Sequence, residues 1–140
     1  MTYPLEARHQ REKPLCLALI ICNEVIEDKR SGNKTLVGLF NGITTSVLPA
    51  THPRLFLMAS LTSGAGEWAF TFRILTPSGA ELMRMQDTTR FDDPLIVHDL
   101  VVEVRNLPIT EEGVYFVDLL LGEEPILNRR FTVQVNPDSG

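Results

Sequence analysis

Short β-rich runs of 6 to 12 residues alternate with turn residues from Leu15 to Val135, and no stretch between them carries a helical period. The clearest run covers residues 67–75. There Trp68, Phe70, Phe72 and Ile74 alternate with Glu67, Ala69, Thr71 and Arg73, a period of two that places one face in a core. Further strands are predicted over 15–26, 35–40, 54–62, 80–86, 95–105, 113–121 and 126–135. Between them lie a charged loop at 27–34, turns at 63–66 and 76–79, a loop at 87–94, a corner at 107–112 and a hairpin turn at 122–125. Asn41-Gly42 predicts either a two-residue hairpin or a bulge, since both residues tolerate positive φ. Pro49 and Pro53 bracket a stiff connection that contains Thr51 and His52. Eight or nine strands at this spacing predict an all-β antiparallel sandwich in one domain over 15–136, with a flexible arm over 1–14.

The segment Glu111-Glu112-Gly113-Val114-Tyr115-Phe116-Val117 narrows the class. It resembles the tyrosine corner of immunoglobulin-like sandwiches, where an acidic residue, a small residue and a Tyr lead into a strand. The position two residues after the Tyr is often Cys in such domains; here it is Val117. Trp68 falls where their core tryptophan would, and Leu55 or Leu57 stands at the other cysteine position. With both cysteine positions apolar, the chain looks like the disulfide-free versions of this sandwich. An immunoglobulin-like topology is the expectation, with another sandwich as the alternative.

Three segments together carry a family resemblance: Ile21-Cys22-Asn23-Glu24-Val25-Ile26, Leu36-Val37-Gly38-Leu39-Phe40-Asn41-Gly42-Ile43 and His52-Pro53-Arg54-Leu55. With Gly113-Val114-Tyr115 and Arg129-Arg130-Phe131-Thr132-Val133, the chain resembles a family of small bacterial proteins of unknown function. The resemblance implies a bacterial origin and an all-β fold. It implies no activity, so no catalytic residue is carried over from it.

A net charge of −5 argues against nucleic acid as a partner, because phosphate binding requires a basic face. The longest apolar run, residues 15–22, is far shorter than the roughly 20 residues that span a bilayer, and no cleavage site follows it. Neither a membrane nor a signal peptide is expected, and the location predicted is the cytoplasm. Cys16 and Cys22 fit that. An extended strand holds them about 20 Å apart, too far for a disulfide, and their parity puts both on one face as small buried hydrophobes.

No catalytic set emerges. His9 lies in the arm, and His98 alternates with Leu100, Val102 and Val104 on an inward face. His52 with Arg54 could hold an anion, although the same residues also make an ordinary connection that places Leu55. Phosphate-loop, nucleophile-elbow and paired-histidine motifs are missing, and Gly64-Ala65-Gly66 leads into a strand and not a helix. The expectation is a protein that is not an enzyme and holds no cofactor or metal. The sharper candidate is acidic: the loops at 63–66, 87–94 and 122–125 should share one end of the sandwich. That end would bring Glu67, Asp87, Asp92, Asp93, Glu123 and Glu124 together against Arg90. Calcium takes six to eight oxygens from such loops, but no Asp-x-Asp-x-Asp-Gly loop is present, and a solvated acidic rim is the expected reading.

The outward faces point to a protein partner. If Leu55, Leu57, Ala59 and Leu61 face the core, Phe56 and Met58 face out. If Tyr115, Val117, Leu119 and Leu121 face the core, Val114, Phe116 and Leu120 face out around Asp118. A monomer seldom exposes so much apolar side chain, so these five are candidate interface residues, covered either by the chain's own arm or loops or by another protein. The function expected is protein association, as a homo-oligomer or an adaptor. The alternative is a small-ligand or metal-binding module built on the strand-connecting loops.

Overall fold

Alternating apolar residues leave each strand with a face that must be covered, and two sheets packed face to face do this. The computed structural model describes residues 12–138. It contains β1 (Leu15–Glu27), β2 (Lys34–Leu39), β3 (Gly42–Thr45), β4 (Ala50–Thr62), β5 (Gly66–Leu75), β6 (Glu81–Phe91), β7 (His98–Ile109), β8 (Gly113–Leu121) and β9 (Glu124–Val135). One sheet has the order β2-β1-β4-β7 and the other β3-β9-β8-β5-β6. All pairings are antiparallel except β3 with β9.

The core follows the predicted alternation. Phe70, Phe72 and Ile74 from β5 are buried against Leu55, Leu57, Ala59 and Leu61 from β4, and Trp68 packs partly buried at the margin. Trp68 also donates its indole N–H to Ala65 O at 2.9 Å. Val117 of β8 is fully buried, as are both leucine candidates for its counterpart, Leu55 and Leu57.

The corner forms as its sequence predicts. Tyr115 Oη donates to Glu111 O at 2.7 Å, and its ring stacks on Phe131 with centroids 5.1 Å apart. With Tyr115 leading β8 and Trp68 leading β5, the sandwich is immunoglobulin-like. Tyr115→Phe is expected to cost on the order of 1 kcal/mol, because the Glu111 carbonyl loses its donor in a part-buried bond. A urea midpoint shifted no more than by a surface substitution would show that this bond contributes nothing.

Several local expectations change. Asn41-Gly42 is neither hairpin nor bulge: the chain leaves the first sheet there, and β3 runs parallel to β9 in the second, Gly42 opposite Thr132. Pro49 belongs to the connection, with a cis Leu48–Pro49 bond, whereas Thr51, His52 and Pro53 lie inside β4. Pro53 lies beyond Phe56, where β1 stops pairing with β4, so on that side no strand asks for its missing N–H. The loop expected at 87–94 is strand as far as Phe91, which is buried in the core with its ring edge-on to Phe70. Likewise β7 runs on to Ile109, and only 110–112 make the corner.

Cys16 and Cys22 do not share a face. A register shift between Cys16 and Ala18 turns Leu17 into an extra residue. Cys16 therefore sits opposite Leu61 and packs against the core, while Cys22 sits opposite Phe56 and is buried outside it. Both thiols are free, and burial pushes the pKa of each up.

Of the expected arm, residues 1–11, His9 among them, lie outside the described residues. Glu12 to Pro14 are tied down. Ala65 N donates to Glu12 O at 2.9 Å, and Pro14 lies so close to Gly64 that a Cβ there would meet it at 2.8 Å.

Candidate functional site

His52 and Arg54 do not converge on one site. His52 lines a recess of about 220 Å³ with Ile43, Thr44, Ala50 and Ile109, its ring 5.9 Å from that of Phe40. Arg54 does not line this recess. Its Nε meets Glu103 Oε2 at 2.7 Å, and its guanidinium lies 4.8 Å over the Phe56 ring. Burial pulls the His52 pKa below the ordinary 6.5. The unfolded chain therefore takes up this proton first as pH falls through 6.5, so stability rises with pH in the window just below that value. His52→Gln is expected to flatten this part of the curve, read as urea midpoints for both proteins from pH 5 to 7.5. The depressed carboxylates, Asp28 with the Ser31 backbone N–H, Glu81 beside Arg84 and Glu103 beside Arg105, act below 4.5 and leave that window clear.

The turns that follow β4, β6 and β8 do share one end. Ser63 N donates to Pro94 O at 3.0 Å, and Gly122 N to Ala69 O at 2.8 Å. The carboxylates there are dispersed. Asp92 pairs with Arg90 at 2.8 Å, Glu124 with Lys13 at 3.0 Å, and Asp93 caps Leu95 N at 2.9 Å. Asp87 stands within β6, opposite Phe70. Among the described residues no three His, Cys, Asp or Glu side chains are placed to hold a metal ion.

The five outward apolar residues keep their predicted parity but do not form an exposed patch. Phe56 and Met58 are only 8% and 7% exposed, and neither belongs to the inter-sheet core. Arg54, held by Glu103, roofs Phe56; Met58 is flanked across the sheet by Ile20 and Val101. Leu120 is 3% exposed, beside a register shift that brings it opposite Pro125. Phe116 is half-buried between Leu75 and Arg130, and Val114 alone of the five remains exposed.

The open side of the sandwich is different. β7 ends one sheet and β6 the other, and among the described residues neither has a partner on its outer edge. Between them runs a groove of about 400 Å³. Its lining is Phe72, Met85, Gln86 and Asp87 on one side, and Val101, Val102 and Glu103 on the other. The edges are 11 and 12 residues long, against 6 for β2 and 4 for β3. Rows of unpaired N–H and C=O groups beside an apolar floor are what an added strand requires. Leu95, Ile96 and Val97, just before β7, are exposed at 86%, 49% and 50%. Alternation predicts most of these residues as strand, but an edge is a property of strand order, which no local signal carries.

Residues 17–134 match the family of unknown function DUF6941. The chain belongs to DUF6941. In this DUF6941 protein the match runs from β1 into β9, so the groove and both its edges lie within the family's domain. No curated protein matches the chain in sequence.

Among solved structures it is similar to an alkylpurine DNA glycosylase from Pseudomonas fluorescens, solved bound to DNA containing an abasic-site analogue. The TM-score is 0.50 at 11% identity, over 96% of this chain and 34% of that one. This DUF6941 chain thus spans about a third of the glycosylase, and the likeness is one of fold. It is also similar to an immunoglobulin-like protein from Pseudomonas aeruginosa, at TM-score 0.39 and 12% identity, over 89% of this chain and 98% of that one. No described helix is long and apolar enough to cross a membrane.

Proposed function

We propose that this DUF6941 protein is a non-catalytic association module of the bacterial cytoplasm, which joins a protein partner, itself or another, through the open side of its sandwich. The observation that carries this reading is the pair of long edges, β6 and β7, unpaired among the described residues and flanking a groove lined by both apolar and polar side chains. Backbone groups along such an edge supply affinity to an extended or edge-on partner, and the groove selects side chains. The association surface moves accordingly from the sheet faces, where Phe56, Met58 and Leu120 are already covered, to the edge. Two free thiols fit a reducing compartment, and a net charge of −5 fits a protein partner better than a nucleic acid.

Native mass spectrometry of the protein purified from its own host at endogenous level tests this. The expected species is an assembly heavier than the 15.7 kDa chain. A bare monomer would overturn the reading. A monomer carrying a small molecule or metal would replace it with the ligand-binding alternative.

A further inference from the structure

We infer that the partner is a second copy of this chain, paired antiparallel along β7 about a two-fold axis at Val102, so that two four-stranded sheets become one continuous sheet. This rests on the association reading above and names its occupant.

The choice between the two long edges follows from what each points into the groove. β6 carries Asp87 there, opposite Phe70, and an inward-pointing charge is one of the devices by which sheet proteins blunt an edge. On β7 the residues that face the core are Leu100, Val102 and Val104, opposite Ala59, Leu57 and Leu55, and all three are apolar. Glu103 of β7 also lines the groove, but it alternates to the other face, where Arg54 and Arg105 neutralise it.

The register follows from the other face, where Asp99, Val101, Glu103 and Arg105 alternate outward opposite Ser60, Met58, Phe56 and Arg54. An antiparallel pair that keeps this face continuous can slip only by even steps. Centring on Val101 sets Asp99 against Glu103 of the second copy, and centring on Glu103 sets the two Glu103 carboxylates against each other. Like charges directly opposite are unfavourable. Centring on Val104 runs the pairing into Asn106, at φ 53°, and Pro108, which has no N–H to give. Centring on Val102 uses the regular length from Asp99 to Arg105 and sets Asp99 opposite Arg105 twice. The Arg105 side chain is 71% exposed; it meets Glu103 Oε2 of its own strand at 3.1 Å, and Glu103 keeps Arg54 as its counterion when Arg105 turns to Asp99 of the second copy. The same register brings the exposed Leu95-Ile96-Val97 segment of each copy alongside the Leu107-Pro108-Ile109 end of the other.

The test uses the purified full chain. Sedimentation velocity over a wide concentration range should show a monomer–dimer equilibrium. Asp99→Arg and Arg105→Asp should each weaken it roughly tenfold, and the double exchange D99R/R105D should restore it. Circular dichroism on the same samples reports whether the variants stay folded. Independently of charge, Val102→Cys places two thiols opposite each other at a spacing a disulfide spans, so mild oxidation should link the dimer. Leu100→Cys, which faces Val104 of the second copy, should not link.

A dimer that ignores the charge exchanges and leaves Val102→Cys unlinked would overturn pairing along β7 while leaving association standing. A monomer at every concentration would overturn self-pairing altogether; an assembly with a foreign protein in the native spectrum would then show that only the identity of the partner was wrong.

Discussion

Phe131→Ala is expected to lower stability by roughly 3–5 kcal/mol, the cost of removing a large aromatic side chain from a site that cannot collapse around the void. Phe131 is 1% exposed, and its ring lies on Tyr115 with an interplanar angle of 19°. The loss is therefore double: the buried ring goes, and the tyrosine that anchors the corner loses the surface holding it against Glu111. A domain of this size has about 5–15 kcal/mol of stability in all, so the variant should unfold at a far lower urea midpoint with an unchanged slope. Phe131→Leu, which keeps most of the volume, should cost clearly less. Equal losses for the two would mean that ring stacking, and not volume, holds this part of the core.

Asp118→Ala should cost roughly 2–3 kcal/mol. Arg73 Nε meets Asp118 Oδ2 at 2.9 Å across the β5–β8 pair, and Asp118 is buried. Truncating one member of a buried pair leaves the other charge without its counterion, which costs about 3–5 kcal/mol when both are fully buried. The figure is lower here because the Arg73 side chain keeps 25% of its exposure and can recover some water. Joint replacement, Arg73→Met with Asp118→Leu, should cost less than the single change, since no charge is then stranded. Measured by urea unfolding, a double variant as unstable as the sum of the singles would mean that the two groups act independently.

The strands were legible wherever one face of a sheet meets the core. The alternation from Trp68 to Ile74 and the Gly-x-Tyr entry to β8 are local patterns, and the structure keeps both. What escaped depends on non-local partners. Asn41-Gly42 carries hairpin chemistry, yet the strand it leads into is captured by β9 on the other sheet. Cysteine parity failed because one extra residue at Leu17 reverses it, and a bulge has no signature in so uniformly apolar a run. The β6 boundary was drawn too early because Asp87 reads as a loop former. Thr88, Thr89 and Phe91 were the counter-signal, since β-branched and aromatic residues carry a strand onward to the buried ring.

The expected interface erred for a related reason. Parity says which way Phe56 points, but not that Arg54 folds over it, because that roof needs Glu103 from β7 to hold it.

The parallel contact between β3 and β9 has a consequence for how the protein is made. β9 is the last strand of this sandwich to leave a ribosome, and it lies between β8 and β3. Until it emerges, β3 has no neighbour in its own sheet, and the crossover at Asn41-Gly42 leads nowhere. A chain halted near Glu123 would lack two strands of the second sheet instead of one, and its β8 would be left as a bare, largely apolar edge. Nascent chains of this protein therefore remain incompletely folded, and open to capture by chaperones or by one another, until β9 has been made and has left the ribosome.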